Sequence, residues 1–269
     1  TDLTATTGKI TATLDDGNIS FDGITTVKAK TDVSMTTTGS GDTNFANTTL
    51  IAAETGSVAL ISADGDTRFK QSTTIKAAVD VTIDIAKGNL TVSEATSVLA
   101  DRFITINIRD GETKMSHRTI FIAGEALELN STGGISGTGI TDLLATDLVR
   151  LTINTGDGDF RNTATIHATV GDVEVAVERG QVKLYDFTKL EAEEDLTITI
   201  EQGSLFMADA ETLIKGNNVT ITVKARLDPE SSVTGDVAID LIIGKETVTI
   251  EAFDGEILDN TFAEEDLII

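Results

Sequence analysis

Gly65-Asp66-Thr67-Arg68-Phe69 is followed by Thr73-Thr74-Ile75-Lys76-Ala77, then by Val81-Thr82-Ile83-Asp84-Ile85, and then by the next glycine at Gly88. Each segment alternates large or small apolar residues with polar ones. A period of two is the alternation of a strand, not the 3.6 of a helix. Residues 65–88 therefore hold three short strands and three corners.

The unit recurs along the chain. Its Gly-x-apolar-x-apolar segment begins at Gly17, Gly41, Gly65, Gly88, Gly111, Gly133, Gly156, Gly180 and Gly203, at intervals of 22 to 24 residues. A second column, Thr-x-apolar-x-Ala, is centred on Val27, Leu50, Ile75, Val98, Ile120, Leu143, Ile166, Leu190 and Leu213. Alanine follows two residues on in seven of these nine copies, from Ala29 to Ala192, and Thr precedes by two in six, as at Thr25, Thr48 and Thr73. A third column, apolar-x-apolar, begins at Val33, Val58, Val81, Ile104, Leu127, Val149, Val173, Leu196 and Val219. All three columns advance by about 23 residues per copy. A hairpin does not bring like residues back in step. A coil that returns to its start does, with each strand stacking in parallel on its counterpart one coil away.

The expected fold is therefore all-β, a parallel β-helix (β-solenoid) of about 23 residues per coil, three short strands per coil and about 11 coils. Coiling should be right-handed, by analogy with parallel crossovers. Successive rungs about 4.8 Å apart would make a rod roughly 50 Å long. Inward side chains should form ladders, Phe21 over Phe45 over Phe69 among them. The Ala column marks a narrow inner position. The Gly column marks a corner that needs positive φ or close backbone approach.

Composition agrees. The chain has 269 residues, of which 44 are Thr, with one Pro, no Trp and one Tyr. Such β-branched richness suits strands. With no Cys, disulfides, thiolate metal sites and cysteine nucleophiles are excluded. The net charge of −24 repels phosphate backbones, so nucleic acid is not an expected partner. No apolar run reaches the ~18 residues of a membrane helix, so this stretch is not expected to insert in a membrane.

Two places break the rhythm. Between Gly203 and Gly235 the interval lengthens, around Arg226-Leu227-Asp228-Pro229-Glu230, and a corner insertion is expected near 226–233. The third column resumes at Val248. Near the start, Gly8 comes soon before Gly17, so an irregular first coil is expected near 3–20. Residues 1–269 otherwise read as one solenoid domain. The missing initial Met and the strand-like Glu265-Asp266-Leu267-Ile268-Ile269 lead us to expect a fragment of a longer chain.

Chemistry-bearing residues are sparse. His117 and His167, the only histidines, fall outward by column parity, next to inward Arg118 or Ile166. Asp101, Arg102, Arg109, Asp110 and Arg118 form the densest mixed-charge cluster and are the candidates for a polysaccharide lyase or hydrolase site. Surface charges neutralising neighbouring acids are the plainer reading of that cluster. Thr197/Thr199 and Thr220/Thr222 give two rungs of an ice-binding Thr-x-Thr face, but Arg150 and Glu174 interrupt it. Stacked corner acids, Asp42 over Asp66 and Asp172 over Asp195, are candidates for Ca²⁺, the one cofactor considered. Hydrogen bonding of corner Asp and Asn to local backbone N–H groups is the competing account. No catalytic or cofactor-binding residue is assigned.

Thr-rich, Cys-free, acidic coils with Gly at a corner and strands such as Glu194-Asp195-Leu196-Thr197-Ile198 and Gly203-Ser204-Leu205 resemble large bacterial surface proteins. These are the filamentous-haemagglutinin-like adhesins and autotransporter passenger stalks. The resemblance covers nearly the whole chain and implies an extracellular or cell-surface rod for adhesion or cell–cell contact. Its implied partners are other segments of the same long chain and a host or neighbouring-cell ligand or carbohydrate. It implies no catalytic residues. The alternative is a carbohydrate-active solenoid enzyme, a polysaccharide lyase or tailspike-like protein.

Overall fold

The computed structural model describes residues 2–208, 211–224, 237–239, 242–253 and 257–259. The insertion expected near 226–233 and the strand-like segment 265–269 lie outside the described residues. Those described form a parallel β-solenoid of about ten turns, about 23 residues apart, without a helix. Val81 pairs with Val58 on one side and Ile104 on the other, both in parallel, and the third column continues in register through Leu127, Val149, Val173, Leu196 and Val219 to Val248.

Three sheets correspond to the three columns. In the early coils their strands are separate, as in Thr67–Phe69, Thr73–Ala77 and Val81–Ile85. Later strands run through corners. Thr113–Ala123 passes from the glycine sheet into the alanine sheet, and Asp172–Tyr185 passes from the third sheet into the glycine sheet. Inside, Val81, Ile83 and Ile85 are fully buried and stack on Ile104, Ile106 and Ile108. The phenylalanine ladder is present: ring centroids are 5.4 Å apart for Phe21 and Phe45, and 5.2 Å for Phe45 and Phe69.

The second column needs a correction of register. Val27 pairs with Ile51, not Leu50; Val98 with Phe121, not Ile120; Leu190 with Ile214, not Leu213. Leu50 is exposed, Ile120 and Leu213 are half-buried, and Ile51, Phe121 and Ile214 are buried. The threonine that accompanies the column is accordingly Thr49 rather than Thr48. The first coil is also more regular than its glycines suggest. Leu3 pairs with Val27, and Ile10 with Val33. Gly8 belongs to the corner ahead of the third sheet, where its carbonyl accepts from the Thr31 N–H at 3.2 Å, so it does not compete with Gly17.

Two corners explain the repeat. At the glycine corner, φ is positive at Gly17, Gly41, Gly65, Gly88, Gly111, Gly156, Gly180 and Gly203. At the corner leading into the alanine sheet, a left-handed residue recurs that need not be glycine: Asn47, Gln71, Glu94, His117, Asn162 and Asp186 have φ between 55° and 65°, and Gly139 holds the same position between His117 and Asn162. That single left-handed residue resets the alternation, and so places Arg118 outside and Thr119 inside. Column parity counted across the corner puts Arg118 inside instead.

The buried threonine two residues past this corner closes it. Its hydroxyl donates to the carbonyl three residues back, Thr73 to Lys70 at 3.3 Å, Thr96 to Ser93 at 3.2 Å and Thr188 to Tyr185 at 2.7 Å. Threonine thus supplies a β-branched stem for the core and a donor for the turn. Thr141 holds the same position with its Oγ1 buried and unpartnered. Thr141→Val should therefore stabilise the protein by about 1 kcal/mol, whereas Thr73→Val should destabilise it by a similar amount. Paired thermal melts check this: shifts of the same sign would refute the assigned role of the hydroxyl.

Candidate functional site

The charged cluster singled out in the sequence is not brought together. Asp101 and Arg102 lie at the corner entering the third sheet, Arg109 and Asp110 at the glycine corner, and Arg118 just beyond the left-handed corner. Arg102 pairs with Glu125 at 3.1 Å and lies over the Phe103 ring, 4.7 Å from its centroid. Arg109 pairs with Asp84 on the coil before it. His117 is exposed at its left-handed corner, with Nδ1 3.3 Å from the Ser116 hydroxyl. His167 sits half-buried on the outward side of the alanine sheet, between Leu144 and Glu191. Thr197 and Thr199 pair with Thr220 and Thr222, and the rungs on either side carry Glu174 and Glu251.

The stacked acids form a backbone ladder. Asp42 N–H donates to Asn18 Oδ1 at 2.8 Å, Asp66 N–H to Asp42 Oδ1 at 2.9 Å, Asn89 N–H to Asp66 Oδ1 at 2.8 Å, and Glu112 N–H to Asn89 Oδ1 at 3.0 Å. At the corner entering the third sheet, Asp195 N–H donates to Asp172 Oδ1 at 3.0 Å and Asn218 Nδ2 to Asp195 Oδ1 at 2.8 Å. In each of these the acceptor is one coil away, so the bond is not the local turn bond expected from sequence. Each side chain ties its coil to the following one. No group of three or more His, Asp or Glu side chains is arranged to hold a metal ion among the described residues.

The remaining oxygens of Asp42 and Asp66 are neutralised by one guanidinium. Arg68 reaches Oδ2 of both. Its hydrogen bond holds the Asp42 carboxyl below the usual carboxylate range, against the opposing effect of burial. A lowered folded-state value means that this contribution is present above the ordinary carboxylate range and is lost as pH falls through the depressed value. Arg68→Gln should lower the melting temperature at neutral pH. The difference from wild type should close as pH falls and as salt rises. Because Asp42 is partly exposed, the effect should stay below about 1 kcal/mol. A gap that widens in acid would contradict it.

Other charges follow the same axial pattern. Arg150 bridges Glu128 at 3.1 Å and Glu174 at 2.6 Å, on the coils before and after it. Lys183 reaches Asp157 at 2.6 Å, and Lys224 reaches Glu201 at 2.6 Å.

One surface feature is absent from the candidates drawn from sequence. On the outward side of the glycine sheet, Tyr185 and Phe206 lie on neighbouring coils with ring centroids 5.7 Å apart. Arg161, one coil earlier, lies over the Tyr185 ring, 4.8 Å from its centroid, and holds Asp159 through two bonds of 2.8 Å. Parity could have found Phe206: Leu205 and Met207 are inward, so the residue between them faces out.

Compared with protein-family models, curated proteins and solved structures, the chain finds no match.

Proposed function

We propose that this chain is a non-catalytic rod segment of a bacterial cell-surface or secreted protein, and that the rod serves adhesion or cell–cell contact. The observation that carries the reading is the direction of the polar contacts. Backbone ladders, carboxylate ladders and ion pairs run along the axis from one coil to the next. A solenoid built on nearest-neighbour contacts can be lengthened coil by coil without redesigning its core. Such a body provides reach, and its charge of −24 keeps neighbouring rods apart and soluble. Its partners are further segments of the same long chain and a ligand or carbohydrate on a facing cell, and its address is accordingly outside the cell. The candidate catalytic residues support the reading by standing at three separate corners, two of the arginines in ion pairs.

The test is to duplicate residues 65–87 in tandem. The product should fold, lengthen by about 4.8 Å in small-angle scattering and melt no lower than the parent. Display of the parent chain on a non-adherent bacterium should raise attachment to a second cell. Unfolding on duplication would remove the rod. Depolymerisation of a polysaccharide panel, abolished by substituting Asp101, Arg102 or Arg109, would replace it with the enzyme.

A further inference from the structure

We infer that the outward patch formed by Tyr185 and Phe206, flanked by Arg161 and Lys183, is a binding site for an uncharged saccharide. The proposal rests on the adhesive reading above and gives it a place and a ligand class.

The largest aromatic side chains of the core, Phe45, Phe69, Phe121 and Phe160, are almost completely buried. Phe206 by contrast is 40% exposed, with its ring centroid 5.7 Å from that of the only tyrosine of the chain. Phe206 stands in register with Lys183, and Tyr185 is two residues beyond Lys183 on the same outward face. Nothing in the solenoid requires rings here. The register positions equivalent to Phe206 are filled by Ser20, Asn44, Thr91 and Ser136 in other coils, and all fold alike.

The chemistry selects the ligand. Two rings on neighbouring rungs, inclined to each other by 55°, make a shallow apolar cleft, with the Arg161 guanidinium over one face of Tyr185. Aromatic faces carry a partial negative charge and favour contact with the polarised C–H face of a sugar. Hydroxyls around the rim of that sugar need donors and acceptors, which Arg161, Asp159, Lys183 and Asp157 supply. These four charges are already matched: Arg161 with Asp159 at 2.8 Å, and Lys183 with Asp157 at 2.6 Å. Asp186, at the corner, accepts the Asn162 N–H at 2.8 Å. The named groups are thus two ion pairs and the carboxylate of Asp186, one net negative charge on a rod of charge −24. An anionic ligand would meet an unfavourable field, and a cation would find the acids taken. A neutral, hydroxyl-rich molecule with an apolar C–H face suits these constraints.

The chain provides its own reporter. With one Tyr and no Trp, its intrinsic emission comes from Tyr185, inside the proposed site. The full chain would be titrated with neutral oligosaccharides of glucose, galactose, mannose and N-acetylglucosamine, followed by Tyr emission and calorimetry. At least one series should change the Tyr185 emission saturably, with a dissociation constant that rises tenfold or more in Phe206→Ser. Serine is the residue other coils carry at that register position, so the variant should fold and keep the elongated shape of the parent. Arg161→Gln should weaken the same saccharide less. Binding unchanged in a folded Phe206→Ser protein would overturn the site and leave the rod standing. So would an absence of binding to every neutral series, or binding confined to anionic polysaccharides. Failure of the coil duplication would instead strike the rod and leave the saccharide measurement intact.

Discussion

Gly203→Ala should unfold the solenoid locally, at a cost on the order of 4 kcal/mol. Gly203 sits at the glycine corner with φ +152°, where a β-carbon would overlap the Gly180 carbonyl oxygen and stand 2.7 Å from its carbon. Those are backbone atoms of the coil beneath, and no rotamer change relieves the overlap. Gly180 presses on Gly156 in the same way, with a β-carbon overlapping the carbonyl oxygen there and 2.5 Å from its carbon. The column is thus a stack of backbone against backbone, and a methyl group at one level must push adjacent coils apart. Cooperativity in a solenoid passes through neighbouring coils. The coils after Gly203 should therefore melt separately, giving two transitions where the parent shows one. Gly8→Ala is the control, since a β-carbon there meets nothing within 4 Å. It should change stability by less than about 0.5 kcal/mol. Equal effects from the two substitutions would remove the steric account of the corner.

How much of this is legible in the sequence depends on what each corner asks of its residues. The glycine corner demands the absence of a side chain, so it leaves a visible column, and the period follows from it. The third column is unambiguous because Val81, Ile104 and Leu127 stand between polar residues or at the edge of a corner, which fixes their parity. The second column is ambiguous where the sequence doubles. In Thr48-Thr49-Leu50-Ile51-Ala52-Ala53, every slot of Thr-x-apolar-x-Ala is filled in two registers. Only the pairing with Val27 and Ile75 chooses Ile51. The left-handed corner leaves no residue signature, because Asn, Gln, Glu, His, Asp and Gly all occupy it. Its presence is visible only in the recurring Thr two residues later. A strained backbone position held by its surroundings need not be written in the residue that adopts it.

The acids mislead in part for a related reason. Asp42 and Asp66 are recognisable as stacked, and stacked carboxylates suggest a cation. What sequence does not give is the identity of the partner. Here one oxygen of each accepts a backbone N–H from the next coil, and the other faces the Arg68 guanidinium. Arg68 lies two residues beyond Asp66, on the outward parity of Thr67-Arg68-Phe69. Its place over both acids follows once the parallel register is known. The aromatic patch is readable in the same way, but only after Phe206 is separated by parity from inward phenylalanines such as Phe45, Phe69, Phe121 and Phe160.

Phe45→Ala should be the most damaging single truncation in the core, lowering stability by about 3–5 kcal/mol. Phe45 is fully buried, and it is the middle ring of three, nearly parallel to Phe21 with an interplanar angle of 6° and inclined by 27° to Phe69. Removing it leaves a cavity that the rigid spacing of the rungs does not allow to collapse, since the backbone ladders on both sides fix the coil separation. It also removes both ring–ring contacts of the ladder, each worth about 0.5–1.5 kcal/mol beyond area burial. Phe45→Leu should cost much less, because Leu184 fills the equivalent position later in the rod. The ladder further predicts non-additivity. In a Phe45→Ala background, Phe69→Ala should cost less than it does alone, since its ring partner is already gone. A double-mutant cycle by chemical denaturation measures that difference. Strict additivity would mean that the rings act only as separate apolar volumes, and that stability in this solenoid is set by the backbone stack at the glycine corner rather than by side-chain ladders within it.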